Sequence, residues 1–222
     1  MNELEEIYNQ EALEYDAKYQ TKTHFVEDSI ISSVLQESIG NSNNILDLGC
    51  GTGSVIDYGK ISAAKYTGID LSQGMIDKAI VKYKNHKFIH GDICNMPNFG
   101  RFDYVAAIYG QVNYVGIDCF CDVLEKHGGD NFRYMAVMYN QTNESDYGYT
   151  TGHQKHYSAT EVYSAMTSRG FSPVISGFSW ATSNINLGDQ WSNTKSSGEG
   201  AIRDDWNSKY LIVTNFALGG IL

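Results

Sequence analysis

The sequence predicts an α/β fold, a mostly parallel seven-stranded sheet with helices on both faces. Three observations support it. Short apolar runs alternate along the chain with longer stretches of helical periodicity, the pattern of strands joined by crossover helices. The run Ile45-Leu46-Asp47-Leu48 is apolar at consecutive rather than alternate positions, apart from its acid, as a strand covered on both faces requires. Two further runs, Lys65-Tyr66-Thr67-Gly68-Ile69-Asp70 and Phe88-Ile89-His90-Gly91-Asp92, also close on an acid.

The elements follow in order. Residues 3 to 20 read as a helical leader with Tyr8, Leu13, Tyr15 and Tyr19 among many acids. Phe25, Ile30, Ile31, Val34 and Leu35 fall near helical spacing, which predicts a core helix over residues 24 to 39 with Gly40 as its stop. After the first strand come glycines at alternate positions, Gly49, Gly51 and Gly53, and a short helix over residues 54 to 59. The second strand ends at Asp70, and Ser72 caps a helix running to Tyr83 with Met75 in its first turn. The fourth strand is Phe102-Asp103-Tyr104-Val105-Ala106-Ala107-Ile108-Tyr109. Residues 110 to 116 are expected as a loop, residues 117 to 127 as a helix closed by Gly128-Gly129, and residues 132 to 138 as the fifth strand. A long polar loop over residues 139 to 157 leads to a helix from Ser158 to Arg169. Ser158 and Glu161 stand at capping-box spacing. Two strands remain, residues 174 to 179 and 210 to 216. The polar stretch between them holds Trp180, Trp191 and Trp206 and is long enough to read as functional or disordered, though three tryptophans argue for packing.

Composition narrows the function. A chain of 222 residues fits one medium domain with a sizeable core. No apolar run approaches the roughly 20 residues needed to span a bilayer. The acidic start Met1-Asn2-Glu3-Leu4-Glu5-Glu6 is unlike a signal peptide. The expectation is a cytoplasmic protein without a membrane partner. The net charge of -10 argues against a large polyanion, so no nucleic-acid partner is expected. Lys78, Lys82, Lys84 and Lys87 read as a solvated helix face. Cys50, Cys94, Cys119 and Cys121 form no zinc pattern and are expected as reduced thiols, mostly buried. No cluster of acids and histidines suggests a metal, and His86, His90 and His127 look incidental at element edges.

The glycine turn carries the chemistry. Glycine permits a turn that other residues cannot make and lets a ligand lie against the backbone. The spacing Gly-x-Gly-x-Gly differs from the Gly-x-Gly-x-x-Gly phosphate fingerprint, and Asp47 before it would repel a pyrophosphate. It suits a cation or a ligand offering hydrogen-bond donors. An acid at the end of the second strand, Asp70, can accept from both hydroxyls of a ribose.

Together these segments resemble the class I S-adenosylmethionine-dependent methyltransferases. Residues 45 to 53 are similar to that family's first motif, Asp70-Leu71-Ser72 to its ribose motif, Phe88-Ile89-His90-Gly91-Asp92-Ile93 to the segment that holds the adenine, and residues 102 to 109 to its fourth strand. The resemblance covers residues 24 to 222. It implies a Rossmann-like sheet whose last strand is antiparallel, and a methyltransferase domain over residues 24 to 222. It also implies that residues 1 to 23 form a lid, since Tyr15-Asp16-Ala17-Lys18-Tyr19 resembles a leader of small-molecule methyltransferases. The implied cofactor is S-adenosyl-L-methionine, with S-adenosyl-L-homocysteine as product and no metal. The residues implied to hold it are Tyr15, Tyr19, Asp47, Gly49, Cys50, Gly51, Gly53, Asp70, Leu71, Met75, Asp92, Ile93 and Tyr109.

An in-line methyl transfer mainly needs the acceptor held close, aligned and dry, so no single catalytic signature is expected. Gln111, Asn113, Tyr114, Tyr139 and Asn140 follow the fourth and fifth strands and are the candidates for binding the acceptor. A proton-accepting role falls to His153 or His156, with Tyr109 as a further catalytic candidate. The expected acceptor is a small polar molecule methylated on nitrogen or oxygen, and the protein a possible homo-oligomer. The Asp/Asn-Pro-Pro-Tyr motif and the Pro-Cys nucleophile of the DNA enzymes are both missing. Two other readings stay open: an RNA or protein methyltransferase, and a protein that binds or cleaves the cofactor without methyl transfer.

Overall fold

A computed structural model describes residues 3 to 20, 22 to 141, 154 to 178, 194 to 196 and 210 to 216. The leader is two helices rather than one, α1 (Glu3–Glu11) and α2 (Tyr15–Lys18), followed by α3 (Lys22–Ile39). Next come β1 (Ile45–Leu48), α4 (Ser54–Gly59), β2 (Tyr66–Asp70), α5 (Gln73–Lys82), β3 (Lys87–His90) and β4 (Phe102–Ala107). The chain continues through α6 (Gln111–Val115), α7 (Ile117–His127), β5 (Gly128–Tyr139), α8 (Ala159–Ser168), β6 (Val174–Phe178), β7 (Thr194–Ser196) and β8 (Tyr210–Thr214).

The strands lie in the order β3-β2-β1-β4-β5-β8-β6-β7. β1 pairs in parallel with β2 and β4, and β2 with β3. β8 runs antiparallel to β5 and β6, as expected of the last strand. β7, three residues paired antiparallel to β6, is an addition to the seven strands expected. Pattern reading misses so short a piece, because it offers too few positions to set a period. The strand order turns back between β1 and β4, the topological switch point beyond whose carboxyl ends such sheets bind ligands.

The chain falls into two compact units, Met1–Ala106 with Val123–Arg133, and Ala107–Asp122 with Tyr134–Leu222. In the first, Ile45, Leu46, Leu48, Ile69 and Val105 are fully buried around β1, β2 and β4. There the hydroxyls of Ser38 and Tyr104 meet at 2.6 Å, satisfying two polar groups inside the core. In the second, Val137, Met138, Leu211, Ile212 and Val213 are buried along β5 and β8.

The helix starts obey local chemistry. Ser72 Oγ accepts from the Met75 amide at the head of α5. Ser158 Oγ accepts from the Glu161 amide at 3.2 Å while Glu161 Oε2 accepts from the Ser158 amide at 2.9 Å, completing the capping box of α8.

Three expectations need correction. Residues 111 to 115 are a helical turn rather than a loop, because left-handed Gly110 (φ 83°) starts it and Gly116 (φ 85°) ends it. The fifth strand begins four residues earlier than expected, at Gly128, since the two glycines taken as a helix stop are extended. Cys50 and Cys121 are buried thiols outside any disulfide, but Cys94 and Cys119 are disulfide-bonded, where all four were expected reduced; no local pattern in the sequence marks a bridge. Among the described residues no helix is long and apolar enough to cross a membrane. His153, Trp180, Trp191 and Trp206 lie outside the described residues.

Candidate cofactor and acceptor sites

In the first unit the site begins with a buried acid. Asp47, the third residue of β1, has 1% of its surface exposed, and its Oδ2 accepts from the Tyr66 hydroxyl at 2.6 Å. Tyr66 opens β2, and its ring reaches Asp47 because the residue between them on that strand is Gly68. A Cβ there would stand 2.7 Å from Tyr66 Oη and 2.8 Å from Cys50 Sγ. Burial pushes the Asp47 carboxyl from its ordinary 3.8 up to about 7, against the Tyr66 bond, and the Asp70 charge adds to the rise. Burial likewise pushes up the thiol of Cys50, the next side chain in this pocket.

The turn after β1 is fixed to the end of β2. The amides of Gly49 and Cys50 both donate to the Ile69 carbonyl, at 2.8 and 3.0 Å. The Gly51 amide donates to Asp70 Oδ2 and the Ser72 amide to Asp70 Oδ1, each at 2.8 Å. Gly51 has φ 51°, and a Cβ placed on it would meet nothing within 4 Å. Its left-handed backbone thus borders open space, the room a ligand needs to lie against the chain. Asp70 is raised by burial, opposed by the amide bonds from Ser72 and Gly51. A carboxylate offers about four lone-pair sites, so two amide bonds leave capacity for donors from a ligand.

Other expected cofactor residues gather in this unit. Met75 is buried in the first turn of α5, and the Leu71 carbonyl sits 2.9 Å from His90 Nε2. Ile93 is buried. Asp92 is exposed and caps the short turn Ile93–Asn95, with Oδ1 taking the Cys94 amide at 2.9 Å and Oδ2 taking Asn95 Nδ2 at 2.6 Å. The acid at the end of β3 therefore shapes its own loop.

The leader packs on the same elements. Asn9 Oδ1 accepts from Ser72 Oγ at 2.8 Å and from the Gly74 amide at 2.9 Å. Asp16 Oδ1 accepts from Thr52 Oγ1 at 2.5 Å, so α2 holds the glycine turn directly. Tyr15 and Tyr19 stand with ring centroids 4.8 Å apart, and Tyr19 meets His24 edge-on at 5.0 Å. Asp16 thus ties the leader to the turn, and Asn9 ties it to the head of α5. Tyr66, Asn9 and Thr52 were not legible as site residues, since no local pattern marks a polar side chain whose partner is distant in sequence.

In the second unit the end of β4 is strained. Tyr109 takes φ 57°, a left-handed conformation that costs a non-glycine residue energy and is enriched at functional sites. Gly110 follows, and a Cβ on it would lie 2.5 Å from the Tyr139 ring. Asn113 is buried on α6. Its Nδ2 donates to the carbonyls of Tyr139 (3.1 Å) and Lys155 (2.7 Å), and its Oδ1 accepts from the Tyr139 amide at 2.8 Å. With both donors spent, Asn113 ties the end of β5 to α6 and the 155 segment, where direct acceptor binding was expected. Tyr139 stacks on His156 at 5.9 Å with 20° between planes, and meets Tyr210 at 5.2 Å. His156 Nδ1 is buried with no hydrogen-bond partner among the described residues. Gln111 and Tyr114 are half-buried on α6, and Asn140 is buried, its backbone bridged to Tyr157. Among the described residues no cluster of three or more His, Cys, Asp or Glu could hold a metal ion.

Comparison with known proteins agrees with this arrangement. Residues 45–128 match a family model described as Methyltransferase domain. A ubiquinone/menaquinone biosynthesis C-methyltransferase of Campylobacter jejuni is 34% identical over 96 residues, 38% of this chain and 41% of that protein. The chain thus aligns with only about a third to two-fifths of the length of the curated relatives it matches. A solved structure described as a possible histamine N-methyltransferase from Thermotoga maritima superposes with a TM-score of 0.67 at 13% identity, covering 95% of this chain and 98% of that one. The magnesium protoporphyrin IX methyltransferase of Synechocystis PCC 6803, solved with S-adenosylhomocysteine, gives 0.63 at 15% identity, covering 96% and 98%. At these identities the two structures speak for the fold.

Two stability measurements check the site's polar bonds. The folded chain holds a proton at Asp47 that the unfolded chain releases above its ordinary value of 3.8. This contribution is full below about pH 4, erodes as pH rises, and is lost above about 7. Asp47→Asn should therefore gain stability relative to the parent as pH is raised from about 4 to 7, in melts across that range; a pH-independent difference would refute the buried proton. Asn113→Ala removes three hydrogen bonds to the backbone of residues 139 and 155, and should cost about 3 kcal/mol in denaturant unfolding. A cost below about 1 kcal/mol would show that water replaces the side chain.

Residues 45–128 thus match a methyltransferase-domain model, on a fold shared with solved S-adenosylmethionine-dependent methyltransferases.

Proposed function

We propose that the protein transfers the methyl group of S-adenosylmethionine to a nitrogen or oxygen atom of a small polar metabolite. The observation that carries the cofactor half of this reading is Asp70. It holds the Gly51 amide beside an open left-handed backbone, and a carboxylate at the end of the second strand can accept from ribose hydroxyls. Asp47, buried and partnered by the Tyr66 hydroxyl, suits the cationic amino-acid end of the cofactor, whose charge would favour the carboxylate form. Asp92 and the Ile93 amide are the groups for the adenine, with Met75 supplying apolar contact. When bound, the cofactor supplies a sulfonium methyl that needs no further activation, so the chain's own task is to hold the acceptor and exclude water.

For the acceptor half, the second unit offers Tyr139 with His156 stacked on it. Aromatic faces suit a polar molecule with an amine or hydroxyl, and His156 Nδ1, unpartnered among the described residues, is the group to take a proton where the acceptor must lose one. The leader, residues 1 to 23, is proposed as a lid, supported by the Asn9 and Asp16 bonds to Ser72, Gly74 and Thr52. A cytoplasmic setting and a metal-free reaction belong to the same proposal.

A second reading takes carbon as the methylated atom, favoured by the C-methyltransferase activity of the Campylobacter relative over the shared segment.

Two experiments test the reading. Asp70→Ala should weaken S-adenosylhomocysteine binding about 10- to 100-fold by calorimetry, the worth of losing hydrogen bonds to a charged acceptor; unchanged affinity would remove Asp70 from the site. Incubation with methyl-labelled cofactor and a cell extract should place label in small metabolites. Label in RNA or protein would overturn the acceptor class, and cofactor breakdown without a labelled acceptor would overturn methyl transfer. Identification of the labelled compound separates nitrogen or oxygen from carbon.

A further inference from the structure

Tyr83 closes the C-terminus of α5, its amide donating to the Ala79 carbonyl at 2.8 Å. Its ring does not point idly to solvent. A Cβ built on Gly53 would lie 2.6 Å from Tyr83 Cε2 and 2.9 Å from Cδ2, so the ring edge lies against the last glycine of the turn. The hydroxyl donates to Asp57 Oδ2 at 2.5 Å, and Asp57 belongs to α4, the helix into which Gly53 leads. One side chain thus touches the turn at Gly53 and grips the following helix one turn later. Gly53 itself has φ 94° and makes the hinge bonds of this junction: its amide donates to Cys50 O at 2.8 Å and its carbonyl accepts from the Ile56 amide at 3.0 Å.

A second set of contacts joins this brace to the leader. Lys82 Nζ stands 3.7 Å from Asp57 Oδ2 and 3.7 Å from Asp16 Oδ2. Asp16 in turn accepts from Thr52, the neighbour of Gly53. Two consecutive turn residues are therefore held by different elements, Thr52 by α2 and Gly53 by Tyr83, with Lys82 between the two acids. Burial, then the bond to Asp57, raises the Tyr83 phenol above its ordinary range, which keeps its proton available to Asp57.

We propose that Tyr83 is a positioning residue for the cofactor turn, its ring fixing Gly53 and its hydroxyl fixing α4 through Asp57. This rests on the cofactor reading given above. A turn that must present Gly51 to a ligand while three of its glycines are left-handed has many alternative conformations to lose. A rigid ring edge against Gly53 removes them before the ligand arrives, which lowers the cost of binding.

The test is S-adenosylhomocysteine affinity of the full-length parent, Tyr83→Phe and Tyr83→Ala, with hydrogen exchange of each free protein. Tyr83→Phe keeps the ring and should lose no more than about threefold, whereas Tyr83→Ala should lose about tenfold or more. In Tyr83→Ala, exchange should accelerate at residues 49 to 56 while β2 and β4 keep their protection; a merely structural loss would raise exchange throughout the unit. Tyr83→Leu, which fills the space without a flat ring, carries the test if the alanine variant does not fold, and should bind more weakly than Tyr83→Phe. A folded Tyr83→Ala that binds within about twofold of the parent overturns the proposal, as does equal loss in the phenylalanine and alanine variants. A parent that fails to bind S-adenosylhomocysteine overturns the cofactor reading itself, a result distinct from either.

Discussion

The carboxylate of Asp70 is the joint on which the candidate cofactor site depends. It takes the Gly51 amide on one oxygen and the Ser72 amide on the other, so it fastens the glycine turn after β1 and the head of α5 to the end of β2. Buried peptide groups without partners cost free energy, and the turn after β1 has no helical or sheet partner for the Gly51 amide. Asp70 supplies one. The parallel register that sets Asp47 opposite Gly68 and Leu48 opposite Ile69 brings this carboxylate beside the turn. Sheet register, turn conformation and the Asp70 carboxylate are thus one arrangement.

The same corner carries a cost. Asp47 is buried, with its neighbour Asp70 also an acid, and the hydroxyl of Tyr66 is its side-chain hydrogen-bond partner. A proton or a cation must offset the desolvation of that carboxyl. A protein selected for stability alone would place an apolar residue at the end of β1. A buried acid at a switch point is instead a candidate partner for a cation, and residues perturbed in this way cluster at functional sites. The leader adds polar bonds to the same corner, Asp16 to Thr52 of the turn and Asn9 to Ser72 at the head of α5.

The sequence made the sheet, the turn and the acids at the strand ends legible because each is a local signal: an apolar run, a glycine spacing, a Ser-x-x-Glu cap. Ser72, Ser158, Met75 and Asp70 stand where those signals put them. What stayed hidden depends on pairs far apart in the chain. Nothing near Tyr66 announces Asp47, and nothing near Asn9 announces Ser72 and Gly74. The polar residues after β4 and β5 read as acceptor contacts, but Asn113 spends its donors on the backbone, a use visible only once Tyr139 and Lys155 are near it. The three-residue β7 and the helical turn of α6 were missed because each spans too few residues to set a period.

The most direct test of the central claim is a structure of the protein crystallised with S-adenosylhomocysteine. The account predicts the ribose hydroxyls within hydrogen-bond distance of Asp70, about 2.5–3.0 Å, the ligand against the Gly51 backbone, and the Gly51 and Ser72 amides still on the Asp70 carboxylate. A ligand bound elsewhere, or a glycine turn that rearranges to release those amides, would contradict it.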